Sequence, residues 1–238
     1  MSVLARRVVA EFIGTAFLVM AVVGSGVMAT RLSPDDVGLQ LLQNSLATGA
    51  ALVALILALQ PVSASFNPVV TLVERALGML DTRTAAGLIG AQFAGGLAGA
   101  VAANLMFGLD AAAVSMHERT GAGLWLGEVV ATIGLLLVVF GTVRSGRADR
   151  VAFAVSGYIT AAYWFTSSTS FANPAVTIAR TVTDSFAGIA PSSAPPFILA
   201  QLAGGAAGFL LVRFLYPTLA ASSAVAADRA AADRKVLP

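Results

Sequence analysis

This sequence predicts an all-α membrane protein: six transmembrane helices plus two re-entrant half-helices, arranged as an inverted repeat. Three observations carry that prediction. The 238 residues are 58% hydrophobic and 11% charged, far from the roughly 25% charged residues of soluble domains. Six apolar runs have about the length that crosses a bilayer, about 20 residues or slightly fewer. The second half of the chain also repeats landmarks of the first, in the same order, after an odd number of runs.

The runs lie near 8–30, 38–60, 85–109, 122–143, 151–167 and 195–217. The first follows Arg6 and Arg7, and its length and the enclosed Glu11 argue against a cleaved signal peptide. The second is followed by "SFNPVVTLVER" (65–75) before the third begins. The fourth opens the second half, the fifth is the shortest, and "SFANPAVTIAR" (170–180) separates it from the sixth. Glycine is frequent in most runs, as close helix packing in lipid requires. Beyond the sixth run, residues 218–238 are Ala-rich with spaced charges and read as a short tail.

The placement of charge orients the chain. Arg6, Arg7, Arg75, Arg83, Arg144, Arg147, Arg150, Arg213, Arg229, Arg234 and Lys235 fall on one side; Arg31, Arg119 and Arg180 fall on the other. The positive-inside bias then puts both termini in the cytoplasm, as six spans require. A net charge of +2 is too small to point to a nucleic-acid partner, and with no cysteine the redox compartment is not legible.

The repeat is specific. "AEFIGTAFLVMAVVG" matches "GEVVATIGLLLVVFG", "SFNPVV" matches "SFANPAV", and "QFAGGLAGA" matches "QLAGGAAGF". Glu11 and Glu128 are 117 apart, Asn67 and Asn173 are 106 apart, and Gln92 and Gln201 are 109 apart. Three spans per unit make the second copy enter the membrane from the opposite side, an architecture that places a site at the midplane. The repeats cover about 8–109 and 122–217 of a channel domain spanning 1–217.

Each Asn-Pro pair reads as an N-cap with Pro at the first helical position. About three turns follow, so eleven residues reach about 16 Å, half of a roughly 30 Å hydrocarbon core. A single copy would read as an ordinary surface helix cap. Two copies at symmetric places read as half-helices whose N-termini, with Asn67, Pro68, Val69 and Asn173, Pro174, Ala175, converge at the midplane. Irregular backbone at that depth needs protein or a water-filled cavity around it, so a pore follows.

At these residues the chain resembles the aquaporins, the major intrinsic protein family, over roughly residues 8 to 217. The paired Asn-Pro-Ala boxes of that family stand here as "NPV" at 67–69 and "NPA" at 173–175. Glu11 and Glu128 match its loop-holding glutamates; Gln92 and Gln201, with their Gly pairs, match its third and sixth helices. The resemblance implies a separate pore in each protomer and a homotetramer in the lipid bilayer. For Glu11 and Glu128 the residues alone leave two readings, a proton relay or carboxylates that hold the loops, and the partnering N–H groups favour holding.

The chain departs from the family at its filter. Strict water channels carry Arg directly after the second box, and here that position is Val176. The other filter positions are Ala47 or Thr48 on the second span, with Thr48 favoured, Ala161 on the fifth, and Ser170 on the loop. All are small, so the filter is expected to be wide and less polar. Arg180 lies one turn beyond Val176, either at the pore mouth or as a solvated interfacial charge, and Asp184 stands four residues further on, in position to pair with it. The resemblance runs to bacterial aquaglyceroporin-like channels associated with arsenic resistance. It implies an inner-membrane channel for small neutral solutes: polyols, undissociated arsenite, methylated arsenicals and water.

A secondary transporter is the competing class, because it too uses inverted repeats and broken helices. Ion coupling calls for further carboxylates near the breaks, and only Glu11 and Glu128 are counted there. Neither a Ser/His/Asp set nor a metal cluster or phosphate loop points to an enzyme, and no cofactor is expected. His117, the sole histidine, reads as a solvated loop residue rather than a gate or metal ligand.

Overall fold

The computed structural model describes residues 2–217, so the tail at 218–238 lies outside the described residues. Among the described residues are eight α-helices: α1 (Val3–Leu32), α2 (Val37–Leu59), α3 (Pro68–Ala76), α4 (Thr82–Met106), α5 (Ala122–Arg144), α6 (Val151–Phe165), α7 (Pro174–Ala179) and α8 (Ala194–Leu215). A single 3₁₀ turn precedes α6, and another, Arg180–Val182, extends α7. Caps set several starts. Asp36 accepts from the Leu39 amide at 2.8 Å and Asp81 from the Thr84 amide at 2.9 Å, satisfying donors that the first helical turn leaves free.

Five helices, α1, α2, α4, α5 and α8, are long and apolar enough to cross a membrane. The sixth expected span, α6, is helical for only 15 residues, about 22 Å at 1.5 Å per residue. Its end is set by the polar stretch Thr166–Ser170, which leaves the helix to form the loop before α7. Large apolar side chains such as Phe17, Leu126, Phe153, Leu199 and Phe214 are exposed. On a soluble protein such a surface would be an aggregation liability; in a bilayer it is the lipid contact.

The tightest packing pairs the first and third long helix of each repeat. A Cβ on Gly95 or Gly99 of α4 would stand 2.2 Å from the carbonyl oxygen of Phe12 or Ala16 of α1. Of their counterparts on α8, Gly204 would meet the Val129 carbonyl oxygen of α5 and Gly208 the Leu136 side chain, each at 2.7 Å. Small residues four apart let helix backbones approach closely, which stands in for the hydrophobic drive missing within lipid. The repeats are also laced together. Gly96 of α4 packs against the Ala175 carbonyl of α7, and Gly205 of α8 against Val69 of α3, so each repeat's third long helix supports the other repeat's half-helix.

Candidate functional site

Both half-helices begin at the expected Asn-Pro pairs. Asn67 Oδ1 accepts from the Val69 amide at 2.9 Å, and Asn173 Oδ1 from the amides of Ala175 and Val176 at 3.0 and 3.3 Å. Pro68 and Pro174 occupy first-turn positions, where no N–H is missed. The other end of each Asn side chain ties the two loops together. Asn67 Nδ2 donates to the Ala172 carbonyl and Asn173 Nδ2 to the Phe66 carbonyl, both at 2.7 Å. The two helix starts therefore meet through a reciprocal pair of bonds between the repeats.

The residues that accept those bonds are strained. Phe66 and Ala172, each just before its Asn, have φ of 48° and 46°, the left-handed region that costs a non-glycine residue of order 1–3 kcal/mol. Two buried carboxylates hold them there. Glu11 accepts from the amides of Ser65 and Phe66 at 2.8 and 2.7 Å and from the Ser63 hydroxyl at 2.6 Å. Glu128 accepts from the amides of Phe171 and Ala172 at 2.9 and 2.8 Å. Gln92 and Gln201 complete the sets: each donates to its Glu, at 2.8 and 2.6 Å, and to a half-helix threonine, Thr71 or Thr177, at 2.9 and 2.8 Å. Both glutamates are fully buried with their oxygens engaged, which is what a fastening needs.

One cavity of about 500 Å³ passes this crossing point. At one end it is lined by Arg7, Gln60, Glu74 and Asp149, at the middle by Asn67 and Asn173, and at the other end by Thr48, Tyr163, Ser170, Val176 and Arg180. Most of the wall between is aliphatic, including Leu18, Val22, Leu52 and Val155. The third residue after each Asn is Val70 in α3 and Val176 in α7, and both face the cavity.

The expected filter positions separate here. Thr48, rather than Ala47, lines the cavity, as do Ser170 and Val176. Ala161 does not; it is exposed on the far side of α6. The physical reason is helical period, since α6 turns Val151, Val155, Ile159 and Tyr163 inward at steps of four. Tyr163 therefore takes the place assigned to Ala161 and adds an aromatic ring to a wall expected to be entirely small. Its hydroxyl lies 3.2 Å from Thr48 Oγ1. Ser170 also lines the cavity, and its hydroxyl is buried without a protein partner.

Arg180 lies at the cavity end and is 3% exposed, so it is not a solvated interfacial charge. Its Nε donates to the Ala187 carbonyl, and its guanidinium lies 3.4 Å over the Phe171 ring centroid. Arg119 approaches the same ring at 5.2 Å and donates to the carbonyls of Gly188 and Phe186; burial lowers its pKa from the ordinary value. The pairing anticipated between Arg180 and Asp184 is not made. Asp184 instead accepts from the Met116 amide at 2.9 Å and stands 4.0 Å from His117 Nε2, because the chain turns at Val182 and carries Asp184 away from the helix. His117 is exposed on that rim.

A further correction concerns carboxylates near the breaks. Glu74, on α3, also lines the cavity, and Ser65 Oγ donates to it at 2.9 Å. The signal for it was available in the repeat, because Glu74 and Arg180 both stand seven residues after their Asn.

A family model described as "Major intrinsic protein" matches residues 1–165 and 144–236. The aquaglyceroporin AqpS of Rhizobium meliloti (strain 1021) is 49% identical over 213 residues, covering 89% of this chain and 91% of that protein. The X-ray structure of the aquaglyceroporin from Plasmodium falciparum superposes with a TM-score of 0.69 at 18% identity, over 91% of this chain and 98% of that one.

Proposed function

The chain belongs to the major intrinsic protein family, a family of multi-pass membrane channels for small solutes, and from that premise we propose that it is a passive channel for uncharged hydroxylated solutes. The solutes are glycerol-like polyols, undissociated arsenite and methylated arsenicals, and water. The observation that carries this reading is the continuous cavity that passes both Asn side chains from the Arg7 end to the Arg180 end. Its wall is mainly aliphatic, with hydroxyls from Thr48, Tyr163 and Ser170, the mixture that suits a solute with apolar bulk and O–H groups. The name of the relative AqpS supports the aquaglyceroporin class.

Val176 replaces a guanidinium with methyl groups at the wall nearest the second box and leaves room for solutes larger than water. Cations are opposed by two half-helix N-termini, each roughly +0.5 elementary charge at the midplane, and by Arg180 at one mouth. Glu11 and Glu128, engaged with the loops, act as fastenings rather than as a proton relay. The protein works as a homotetramer in a bacterial inner membrane, with both termini in the cytoplasm and one pore per protomer.

The test is stopped-flow light scattering of proteoliposomes against a panel of neutral solutes. A passive pore gives glycerol-driven swelling that rises linearly with the gradient. Saturable flux orders of magnitude slower would mark an alternating-access carrier instead.

A further inference from the structure

Seven residues after their Asn, the two half-helices part in charge. Glu74 of α3 and Arg180 beyond α7 occupy equivalent positions of the repeat, and both line the cavity. Each is steadied by the residue two before its own Asn. Ser65 Oγ donates to Glu74 Oε2 at 2.9 Å, and the Phe171 ring lies 3.4 Å beneath the Arg180 guanidinium.

At about 1.5 Å per residue, each charge sits roughly 10 Å from its Asn, toward opposite faces. About 20 Å therefore separates them. They do not form an ion pair, and each acts on its own mouth. The charged groups facing Glu74 from other elements are Arg7 of α1, Asp149 of the turn before α6, and Glu11 behind the loop. Among the described residues Glu74 has no cation within 4.0 Å. Asp149 stands 4.0 Å from Arg150, which leaves Glu74 as the unpaired carboxylate lining that mouth, while Arg180 lines the other.

A positive midplane and a positive mouth bar cations but draw anions in, as rings of Arg and Lys do in anion pores. An opposing charge is needed if the pore is to serve neutral solutes only. We infer that Glu74 is a specificity-determining residue whose carboxylate, at the Arg7 end of the cavity, bars small anions that the midplane and Arg180 would otherwise admit. This inference rests on the channel reading and adds its anion selectivity. Neutral solutes do not register the charge, because a carboxamide at the same place still offers an oxygen acceptor to a passing hydroxyl.

The experiment uses the full chain in proteoliposomes. Glycerol-driven swelling and valinomycin-supported swelling in potassium nitrate are measured on the same vesicles. Wild type is expected to pass glycerol and to hold nitrate flux at the level of empty vesicles. Glu74→Gln should raise nitrate flux at least about tenfold, a fraction of the roughly 250-fold that a full unit charge about 5 Å from the path would give at an effective dielectric of about 20, in vesicles that still pass glycerol. Glu74→Asp, which keeps a carboxylate on the wall, should still exclude nitrate. If Glu74→Gln does not insert, Glu74→Leu is read in the same way, since leucine matches the aliphatic wall. Nitrate flux that stays at background in a variant still passing glycerol overturns the inference, and so does free nitrate passage through wild type. A wild type that passes no glycerol overturns the channel reading, which is a separate result.

Discussion

In the first repeat the loop before α3 gives two backbone amides to Glu11, and in the second the loop before α7 gives two to Glu128. A glutamine and a threonine back each carboxylate, and a residue with positive φ precedes each Asn. At the mouths the likeness stops: Ser65 with Glu74 at one end, Phe171 with Arg180 at the other. Holding a strained loop in lipid has essentially one solution, a buried acceptor for its amides, so both copies keep it. Facing a solute leaves more freedom, and there the copies diverge.

Removing a fastening is expected to have the largest effect. Glu11→Ala and Glu128→Ala each orphan two buried amides and a glutamine, at about 1–3 kcal/mol per unsatisfied donor. Both variants are expected to lose most of their monodisperse, folded protein in detergent, to a similar extent. If one repeat tolerates the change and the other does not, the fastenings are not equivalent.

The next largest effect is expected at Val176. In Val176→Arg a guanidinium enters the cavity, and glycerol flux should fall at least about tenfold, or 1.4 kcal/mol in barrier, with folding retained and water flux less affected. Unchanged glycerol flux would place the controlling section elsewhere, at Tyr163 or Arg180. Smaller still are Asn67→Ala and Asn173→Ala. Each loses a cap worth about 1 kcal/mol and one cross-loop bond, and the two should lower the thermal midpoint by similar amounts. The smallest effect belongs to His117→Ala. Its 4.0 Å approach to Asp184 is an exposed pair, of a class worth about 0–1 kcal/mol, so glycerol flux should stay within about twofold of wild type between about pH 5 and 8.

The scaffold was legible in the sequence because each of its parts is an exact chemical requirement at a fixed place. Glu11 and Glu128, the Asn-Pro starts and the Gln-x-x-Gly-Gly stretches recur in order, and all meet in the structure as the repeat implies. The pore wall was less legible. Thr48, Ser170 and Val176 line the cavity, but Ala161 was assigned by aligning a short apolar helix that carries no landmark of its own; inward facing there is fixed by the i+4 row ending at Tyr163. Arg180 looked solvent-bound or lumen-facing with equal force, since whether Phe171 would lie beneath it depends on the left-handed turn at Ala172. The boundary of α6 at Phe165 was shorter than its apolar run because the polar loop that lines the cavity begins at Thr166.

On this mechanism two opposed half-helices pass neutral solutes and stop cations, protons included. It is tested most directly by following glycerol and arsenite uptake at neutral pH and proton flux with a fluorescent reporter in the same proteoliposomes. Solute uptake is expected well above that of empty vesicles, with proton flux at their background. Proton or K⁺ flux comparable to the neutral-solute flux would contradict it.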